Sequence, residues 1–124
     1  MTSYRAVVLE HFRHPHNRGA LADASASAEG ANPLCGDRVR VELRAENGRV
    51  SEACFTADAC ALCIASASLV TDRARGMRVA DAARIDTDWL FASLEGEPPR
   101  ARRKCATLPL DTLQRAIASL RAER

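Results

Sequence analysis

Hydrophobic and polar residues alternate along positions 38–43, where the apolar face holds Val39, Val41 and Leu43 and the other face is charged. A period of two is typical of a β-strand that buries one face. The dipeptide Asn47-Gly48 follows, which is the strongest short sequence signal for a two-residue hairpin turn. The pattern therefore predicts a β-hairpin whose returning strand covers residues 49–56.

Helical periodicity governs the second half of the chain. After Asp58 the sequence is small and apolar nearly all round until Gly76, which predicts a central, buried helix. Asp58 is predicted to be its N-cap and Gly76 to mark its end, so that Cys60 lies at the helix N-terminus. An amphipathic last helix is predicted from apolar residues that recur every three or four positions, namely Leu110, Leu113, Ile117 and Leu120. Pro109 is expected in its first turn, which places Cys105 just before the helix.

Shorter elements complete the prediction. Residues 2–12, 79–83 and 86–94 have the spacing of short helices. Residues 20–31, which are small and polar, are predicted to form an edge strand with loop character. Because the chain shows neither an internal repeat nor a long linker, residues 1–124 are expected to form one domain.

The composition narrows the class of protein. Hydrophobic residues make up 47% of the 124 residues and charged residues 27%, which is typical of a globular chain rather than a disordered one. The formal net charge of +2 gives no overall case for nucleic-acid binding. The chain opens without a signal-peptide pattern and lacks an apolar stretch long enough to span a membrane. A cytoplasmic protein is expected, with no nucleic-acid and no membrane partner.

Five cysteines stand out in such a chain: Cys35, Cys54, Cys60, Cys63 and Cys105. Cytoplasmic cysteines are kept reduced, and a group of them indicates a metal or catalytic site more often than disulfides. Cys35, Cys60 and Cys105 each occupy a predicted turn or helix entrance, where backbone amides favour a thiolate and solvent has access. Asp37, two residues after Cys35, adds a carboxylate within reach of a metal ion bound by that thiol.

Three thiolates and one carboxylate form a soft and exchangeable ligand set. Thiolates suit zinc, cuprous copper and iron–sulfur clusters, and a single carboxylate weakens a site relative to four thiolates. The spacing matches neither the paired CxxC of zinc ribbons nor a ferredoxin pattern. The residues themselves therefore predict a labile thiolate site and leave its metal open.

The other candidate ligands have simpler interpretations. Cys54 lies inside the predicted returning strand and is expected to be a small core hydrophobe. Cys63 shares a helix face with Cys60 and is also expected to be a core residue, with a fourth thiol ligand or a resolving cysteine as the alternative. A solvated turn, with metal ligation as the alternative, is expected for His11, His14 and His16.

Four motifs occur in a fixed order along the chain. Residues 10–19 read EHFRHPHNRG, residues 33–37 read PLCGD, Cys60 precedes IASASLVT at residues 64–71, and residues 105–108 read CATL. In this order they resemble the IscU/NifU-type iron–sulfur cluster assembly scaffolds, a family that includes the SufU proteins. The resemblance covers nearly the whole chain, and the ordered set of three cysteine motifs is highly specific.

This resemblance implies an α+β fold, in which a three-stranded antiparallel sheet packs against several helices in a single IscU/SufE-like domain. It implies that a pyridoxal-phosphate-dependent cysteine desulfurase supplies persulfide sulfur and that apo iron–sulfur acceptor proteins receive a transient 2Fe–2S cluster. Cys35, Cys60 and Cys105 would be the thiolate ligands and Asp37 the exchangeable ligand, and Cys105 would accept the persulfide. The same four groups would bind iron during assembly and zinc in the isolated protein.

Departures from the family patterns leave the mode of action open. Lys104 precedes Cys105, as in SufU-type members, where IscU-type members carry a histidine. The separation between Cys60 and Cys105 is nevertheless the short one of IscU-type members. The alternative is therefore a SufU-like zinc-dependent sulfurtransferase that activates the desulfurase. The Leu-Pro-Pro-Val-Lys element that engages an Hsp70-type chaperone is reduced to EPPRA at residues 97–101, which argues against chaperone docking.

Two more alternatives stay open from the sequence. A structural zinc module that acts through binding is the third functional hypothesis, although Asp37 is an unusual ligand for a closed zinc site. The basic run RARRK at residues 100–104 is either a solvated loop or a surface that docks an acidic face of the desulfurase.

Overall fold

The computed structural model describes the backbone of residues 5–122 and the side chains of residues 5–120. Helix α1 (Ala6–Arg13) is followed by strands β1 (Ala26–Asn32), β2 (Asp37–Glu46) and β3 (Arg49–Asp58). Helices α2 (Ala61–Ala74), α3 (Val79–Ala82) and α4 (Thr87–Ser93) come next, and a 3-10 turn (Arg100–Arg102) leads into α5 (Arg103–Ala122). In the part of the chain between residues 5 and 122, none of the helices is both long and apolar enough to cross a membrane.

The three strands form one antiparallel sheet in the order β1-β2-β3. Ala28 of β1 pairs with Val41 of β2, which in turn pairs with Phe55 of β3. The β2–β3 hairpin turns at Asn47 and Gly48, whose φ angles of 54° and 76° are the left-handed values that a type I′ turn requires. The predicted hairpin and the predicted α+β class with a three-stranded antiparallel sheet are both confirmed.

The hydrophobic core lies between one face of the sheet and helices α2 and α5. Val41, Leu43 and Phe55 are fully buried on this face, as the alternating pattern predicts. Gly30 of β1 allows α5 to approach the sheet closely, because a Cβ atom there would lie 2.2 Å from Thr112 Oγ1. Burial of apolar side chains thus fixes the position of α5, the helix that carries Cys105.

Helix α2 starts later than predicted, and Asp58 is not its N-cap. Asp58 is the last residue of β3, where it pairs with Arg38 at the first rung of the β2–β3 ladder. Cys60 occupies the N-cap position in an extended conformation. The prediction was wrong because the strand ladder extends through a residue type that also favours helix N-caps.

Helix α5 starts earlier than predicted. It begins at Arg103, so Cys105 lies within its first turn and Pro109 lies inside the helix. The basic run at residues 100–104 is therefore helical and not a loop, with a 3-10 turn leading directly into α5. Burial of Cys105 and Ala106 against the core explains the earlier start, since both residues lose water there.

Strand β1 covers only the end of the segment predicted as an edge strand. It begins at Ala26, and the preceding residues cross the outer face of the sheet, where Glu42 accepts the N–H of Leu21 at 3.2 Å. The predicted helix at residues 2–12 is present from Ala6 onward, and residues 2–4 lie outside the described residues. The two short helices predicted before α5 are both present as α3 and α4.

Cys54 is not a core residue, contrary to the expectation. Ala53 and Phe55 on either side of it are fully buried, so alternation along β3 directs Cys54 to the opposite face of the sheet. It is half-buried there beside Glu42, its cross-strand partner, and Glu52. Burial and the charge of Glu52 raise the pKa of its thiol.

Candidate metal centre

Cys35 lies in the turn that connects β1 to β2. The side-chain oxygen of Asn32 accepts a hydrogen bond from the N–H of Leu34 at 3.1 Å, and the backbone carbonyl oxygen of Asn32 accepts one from the N–H of Gly36 at 2.8 Å. Gly36 has a φ of 78°, a left-handed value that glycine adopts readily. These bonds close the turn tightly and leave Cys35 exposed at one end of the sheet.

Asp37 joins this turn to the start of α2. It is buried at the first position of β2, and its Oδ1 accepts the backbone N–H of Cys60 at 2.9 Å. The Sγ atom of Cys60 lies 3.4 Å from the other carboxylate oxygen. The first amides of a helix have no partner within the helix, and here a carboxylate from another segment approaches that end. Asp37 thereby fixes where the Cys60 thiol emerges.

Cys105 reaches the same point from α5. Its Sγ lies 3.7 Å from the Sγ of Cys35. The ligand atoms of Cys35, Asp37 and Cys105 all lie within 4.8 Å of one another. Cys60 stands beside this trio through its contact with Asp37. The structure therefore brings together the four residues predicted from the sequence, which come from three separate segments of the chain.

Asp37 holds a carboxylate in a buried position because several groups donate hydrogen bonds to it. Burial by itself raises the pKa of Asp37, but the N–H of Cys60 and the thiols of Cys35, Cys105 and Cys60 favour the ionised form. The net effect lowers the pKa below its usual value. The centre therefore keeps one fixed negative charge, which attracts a cation.

Cys105 was expected to be accessible to solvent and to be stabilised as a thiolate, and in the structure it is neither. The residue is only 2% exposed, and its burial, the charge of Cys60 and its hydrogen bonds with Cys35 and Asp37 raise the pKa of its thiol. A thiol with a raised pKa keeps its proton until a cation replaces it. The expectation was wrong because α5 begins before Cys105 and buries it.

Cys63 lies one turn below Cys60 and is fully buried, as expected for a core residue. Burial raises the pKa of its thiol, and charge repulsion from Asp37, Cys60, Cys105 and Cys35 raises it further. Cys63 therefore lies near the centre but is outside the trio of ligand atoms that lie within 4.8 Å of one another.

His11 lies in α1 rather than in the predicted solvated turn, and its ring lies against that of His16, with the ring centroids 4.7 Å apart. Nδ1 of His11 is hydrogen-bonded to Ser68 Oγ at 2.7 Å, and Nδ1 of His16 lies 3.4 Å from a carboxylate oxygen of Asp72. His14 is exposed, as the predicted solvated turn requires. Within residues 5–120, the histidines are not part of a compact group of metal-binding side chains. The metal alternative therefore receives no support there.

Two features near the centre were not predicted from the sequence. Leu34 is 85% exposed next to Cys35, and only its position between Pro33 and the cysteine in a tight turn could have indicated this. Ser66 is fully buried on α2 and donates a hydrogen bond from its Oγ to the carbonyl oxygen of Ala106 at 2.5 Å. A serine in an apolar helix gives no local sign of its partner on another helix.

The donor set fits a thiophilic cation. Three sulfur atoms and one carboxylate oxygen match in number the four ligands of a tetrahedral site, and both kinds of atom bind zinc and iron. The exposed Cys35 gives access from solvent, while the other candidate ligands come from the half-buried N-terminus of α2, the first residue of β2 and the first turn of α5. The arrangement can hold a metal ion or a small cluster at the molecular surface.

The amino-acid sequence is similar to those of known proteins. A model of the NifU-like N-terminal domain matches residues 3–124. The chain is 32% identical to "Iron-sulfur cluster assembly scaffold protein IscU 1" of Archaeoglobus fulgidus, over 92% of this chain and 74% of that protein. It is 31% identical to "Zinc-dependent sulfurtransferase SufU" of Bacillus subtilis, over 94% of this chain and 90% of that protein.

The fold is also similar to that of a solved structure. The crystal structure of a nitrogen-fixing NifU-like protein (N-terminal) from Brucella abortus superposes with a TM-score of 0.80 at 24% identity, covering 97% of this chain and 95% of that chain. At this identity the likeness concerns the fold alone. The family model, however, spans nearly the whole chain and includes every cysteine. The chain therefore belongs to the family of NifU-like N-terminal domains, which contains the IscU-, NifU- and SufU-type proteins.

Proposed function

We propose that the protein is an iron–sulfur cluster assembly scaffold that builds a labile 2Fe–2S cluster and passes it to apo acceptor proteins. The observation that carries the proposal is the convergence of Cys35, Asp37 and Cys105 within 4.8 Å, with the Cys60 thiol against Asp37. Three thiolates suit an iron–sulfur cluster, and the name of the Archaeoglobus relative supports the same role. The cluster is the cargo of this protein.

Sulfur reaches the centre from a pyridoxal-phosphate-dependent cysteine desulfurase. In the proposed step, the Cys105 sulfur attacks the outer sulfur of the desulfurase persulfide as its thiol proton is lost, the S–S bond of that persulfide breaks, and the desulfurase cysteine leaves and takes up a proton. Cys105 is buried next to the exposed Cys35, so the Cys35 turn has to move aside for this attack. The exposed cations Arg100 and Lys104 lie close to Cys105 in sequence and favour an acidic docking face on the desulfurase.

Asp37 accounts for the lability of the proposed site. A carboxylate oxygen is a harder ligand than a thiolate, so the bond it makes to iron exchanges more readily than the three sulfur bonds. Its lowered pKa keeps the carboxylate ionised and ready to bind again. The same four residues are proposed to hold zinc in the isolated protein. Residues 1–124 are proposed to act as one domain in the cytoplasm.

A SufU-like sulfurtransferase is the second candidate. Lys104 stands directly before Cys105, and the Bacillus relative named as a zinc-dependent sulfurtransferase matches this chain over 94% of its length. In this case zinc organises the centre, a cysteine relays sulfur, and the desulfurase is activated without a stable cluster. A purely structural zinc site fits less well, because Cys35 is exposed and one ligand is a carboxylate.

Anaerobic reconstitution tests the two candidates against each other. The protein is incubated with ferrous iron, L-cysteine and a cysteine desulfurase, and visible absorption and desulfurase turnover are recorded with and without zinc. A scaffold is expected to develop a visible cluster spectrum that is lost in Cys35→Ser. Strong zinc-dependent stimulation of the desulfurase with no chromophore would instead support the sulfurtransferase. The absence of both a cluster spectrum and desulfurase stimulation would contradict both candidates.

A further inference from the structure

The Cys105 turn is attached to α2 by one buried hydrogen bond. Ser66 lies two turns along α2 from its N-cap, is fully buried, and donates from its Oγ to the carbonyl oxygen of Ala106 at 2.5 Å. Ala106 follows Cys105 directly in the first turn of α5. This bond therefore acts on the backbone one residue away from the thiol.

The first turn of α5 has fewer backbone hydrogen bonds than an ordinary helical turn. Pro109 has no N–H, so the helix cannot form the bond from position 109 to the carbonyl oxygen of Cys105. The opening amides of a helix also lack partners within it. A contact from another helix consequently has a larger share in fixing this turn.

We propose that Ser66 is a positioning residue for the metal centre, which sets the Cys105 thiol relative to the Cys60 thiol. Helix α2 places Cys60 directly, because Cys60 is its N-cap, and it places Cys105 through Ser66. One rigid helix then determines the separation of two ligands that lie far apart in the sequence. The inference rests on the proposed metal site and adds a residue that does not itself touch the metal.

Ser68 provides a matched control on the same helix. It is also fully buried, and its Oγ is hydrogen-bonded to Nδ1 of His11 and to the backbone N–H of His16, both at 2.7 Å. These bonds hold the N-terminal segment against α2 and do not involve the thiols. Removing either hydroxyl removes a buried hydrogen bond, so both changes are expected to lower stability. Only the Ser66 change is expected to disturb the centre.

The test compares zinc affinity in Ser66→Ala and Ser68→Ala, measured on the full chain by anaerobic competition with a chromophoric chelator. Ser66→Ala is expected to bind zinc about tenfold more weakly than the wild type, since groups that orient metal ligands contribute 10- to 100-fold. Ser68→Ala is expected to keep the wild-type affinity while melting at a lower temperature. The visible spectrum of the cobalt-substituted protein is expected to change in Ser66→Ala alone.

Ser66→Thr and Ser66→Val keep the test decisive if Ser66→Ala unfolds. These two residues have nearly the same shape, so they share any cost of overpacking, and only threonine retains the hydroxyl. The Ser66→Thr protein is expected to bind zinc more tightly than the Ser66→Val protein by about the same tenfold factor. Equal affinities in this pair, or equal losses in Ser66→Ala and Ser68→Ala, would overturn the inference. A wild-type protein that binds no zinc would instead count against the proposed metal site.

Discussion

The two ends of the β2–β3 ladder are built in different ways. At one end, Asn47 and Gly48 close the hairpin with two left-handed residues, and the partners are neighbours in sequence. At the other end, β2 begins at Asp37 and β3 ends at Asp58, and the proposed metal ligands come from a turn, a helix N-cap and α5. The hairpin end is thus local and structural, whereas the thiol end (Cys35, Asp37, Cys60 and Cys105) depends on tertiary contacts.

Substitutions at the two ends should therefore affect different measurements. A change at the hairpin end alters the free energy of unfolding and leaves the thiol end in place, because the strands are also held by the core. A change at the thiol end alters metal binding, and it alters stability where the residue is buried or where the backbone conformation favours glycine. Substitutions with effects of decreasing size test that separation.

Replacing a thiol at the thiol end should have the largest effect. Cys35→Ser is expected to weaken zinc binding by more than about 100-fold, because even groups outside the ligand shell contribute 10- to 100-fold. The change in unfolding free energy should stay within about 0.5 kcal/mol, since Cys35 is exposed. Anaerobic chelator competition and urea denaturation of the metal-free protein measure the two quantities.

Cys54→Ser is the control for Cys35→Ser. Cys54 is half-buried on the outer face of the sheet and lies in β3, away from the trio of ligand atoms. It should therefore keep the wild-type zinc affinity. An equal loss of affinity in both variants would show that cysteine content, rather than the thiol end, determines metal binding.

Gly30→Ala should affect both stability and the thiol end. The new Cβ would lie 2.2 Å from Thr112 Oγ1 and 3.0 Å from Leu108 Cδ1, so α5 would have to move. Overpacking of this kind costs about 1–3 kcal/mol of unfolding free energy. Zinc affinity should fall as well, because α5 carries Cys105. Urea denaturation and zinc competition on the same samples measure the two losses.

Thr112→Ala in the Gly30→Ala background examines the cause of that loss. It removes the atom closest to the new methyl group, so the two substitutions together should cost at least about 0.5 kcal/mol less than their sum. Strict additivity would mean that the contact with Thr112 is not what destabilises Gly30→Ala.

Two glycines allow a direct comparison of the ends. Gly36 and Gly48 have φ angles of 78° and 76°, and a Cβ atom at either would meet nothing within 4 Å. Alanine in this left-handed region costs about 1 kcal/mol, so both Gly36→Ala and Gly48→Ala should lower the unfolding free energy by that amount. Only Gly36→Ala should also weaken zinc binding, because Gly36 lies between Cys35 and Asp37. Unchanged affinity in Gly36→Ala would show that the Cys35 turn tolerates distortion.

The smallest effect is expected from pH, at a site remote from both ends. Burial lowers the pKa of His11 below 6.5, and the charge of His16 lowers it further, against smaller opposing effects from Asp72 and Glu10. The unfolded chain therefore binds a proton more readily than the native protein, so stability rises with pH. The contribution of His11 is complete above the unfolded pKa and is lost as the pH falls through the lowered native pKa.

His11→Gln should therefore flatten the pH dependence of unfolding between about pH 5 and pH 7.5, the range in which histidine ordinarily titrates. Urea denaturation at several pH values measures the slope. His14→Gln is the control, because His14 is exposed and its replacement changes the same type of group. A slope that responds equally to both substitutions would show that the burial of His11 is not the cause of the pH dependence.

The elements with strong local patterns were predicted correctly. The alternation at residues 38–43, the Asn47-Gly48 turn and the apolar helix after Cys60 all appear in the structure. The errors lie where two local signals compete or where burial overrides them. Asp58 has the chemistry of an N-cap but pairs in a strand, and Pro109 favours a helix start but lies inside α5. Element ends are decided by packing as much as by residue type.

The candidate site was predicted as a set of residues and not as a geometry. Cys35, Asp37, Cys60 and Cys105 could be chosen because cysteines in turns and at helix starts, together with an ordered set of motifs, indicate thiolate chemistry. Cys54 was assigned to the wrong face of the sheet, since the face of a strand residue depends on its register. Burial of Cys105 was missed because it depends on where α5 begins.

The hairpin, the amphipathic last helix and the identity of the four residues of the thiol end could all be predicted from residue patterns and motifs along the chain. Which thiols meet depends on tertiary packing. The 3.7 Å contact between Cys35 and Cys105 and the bond from Ser66 to the Ala106 carbonyl join residues that are far apart in the chain. Such contacts result from the packing of α2 and α5 against one sheet, which residue spacing along a single segment does not encode.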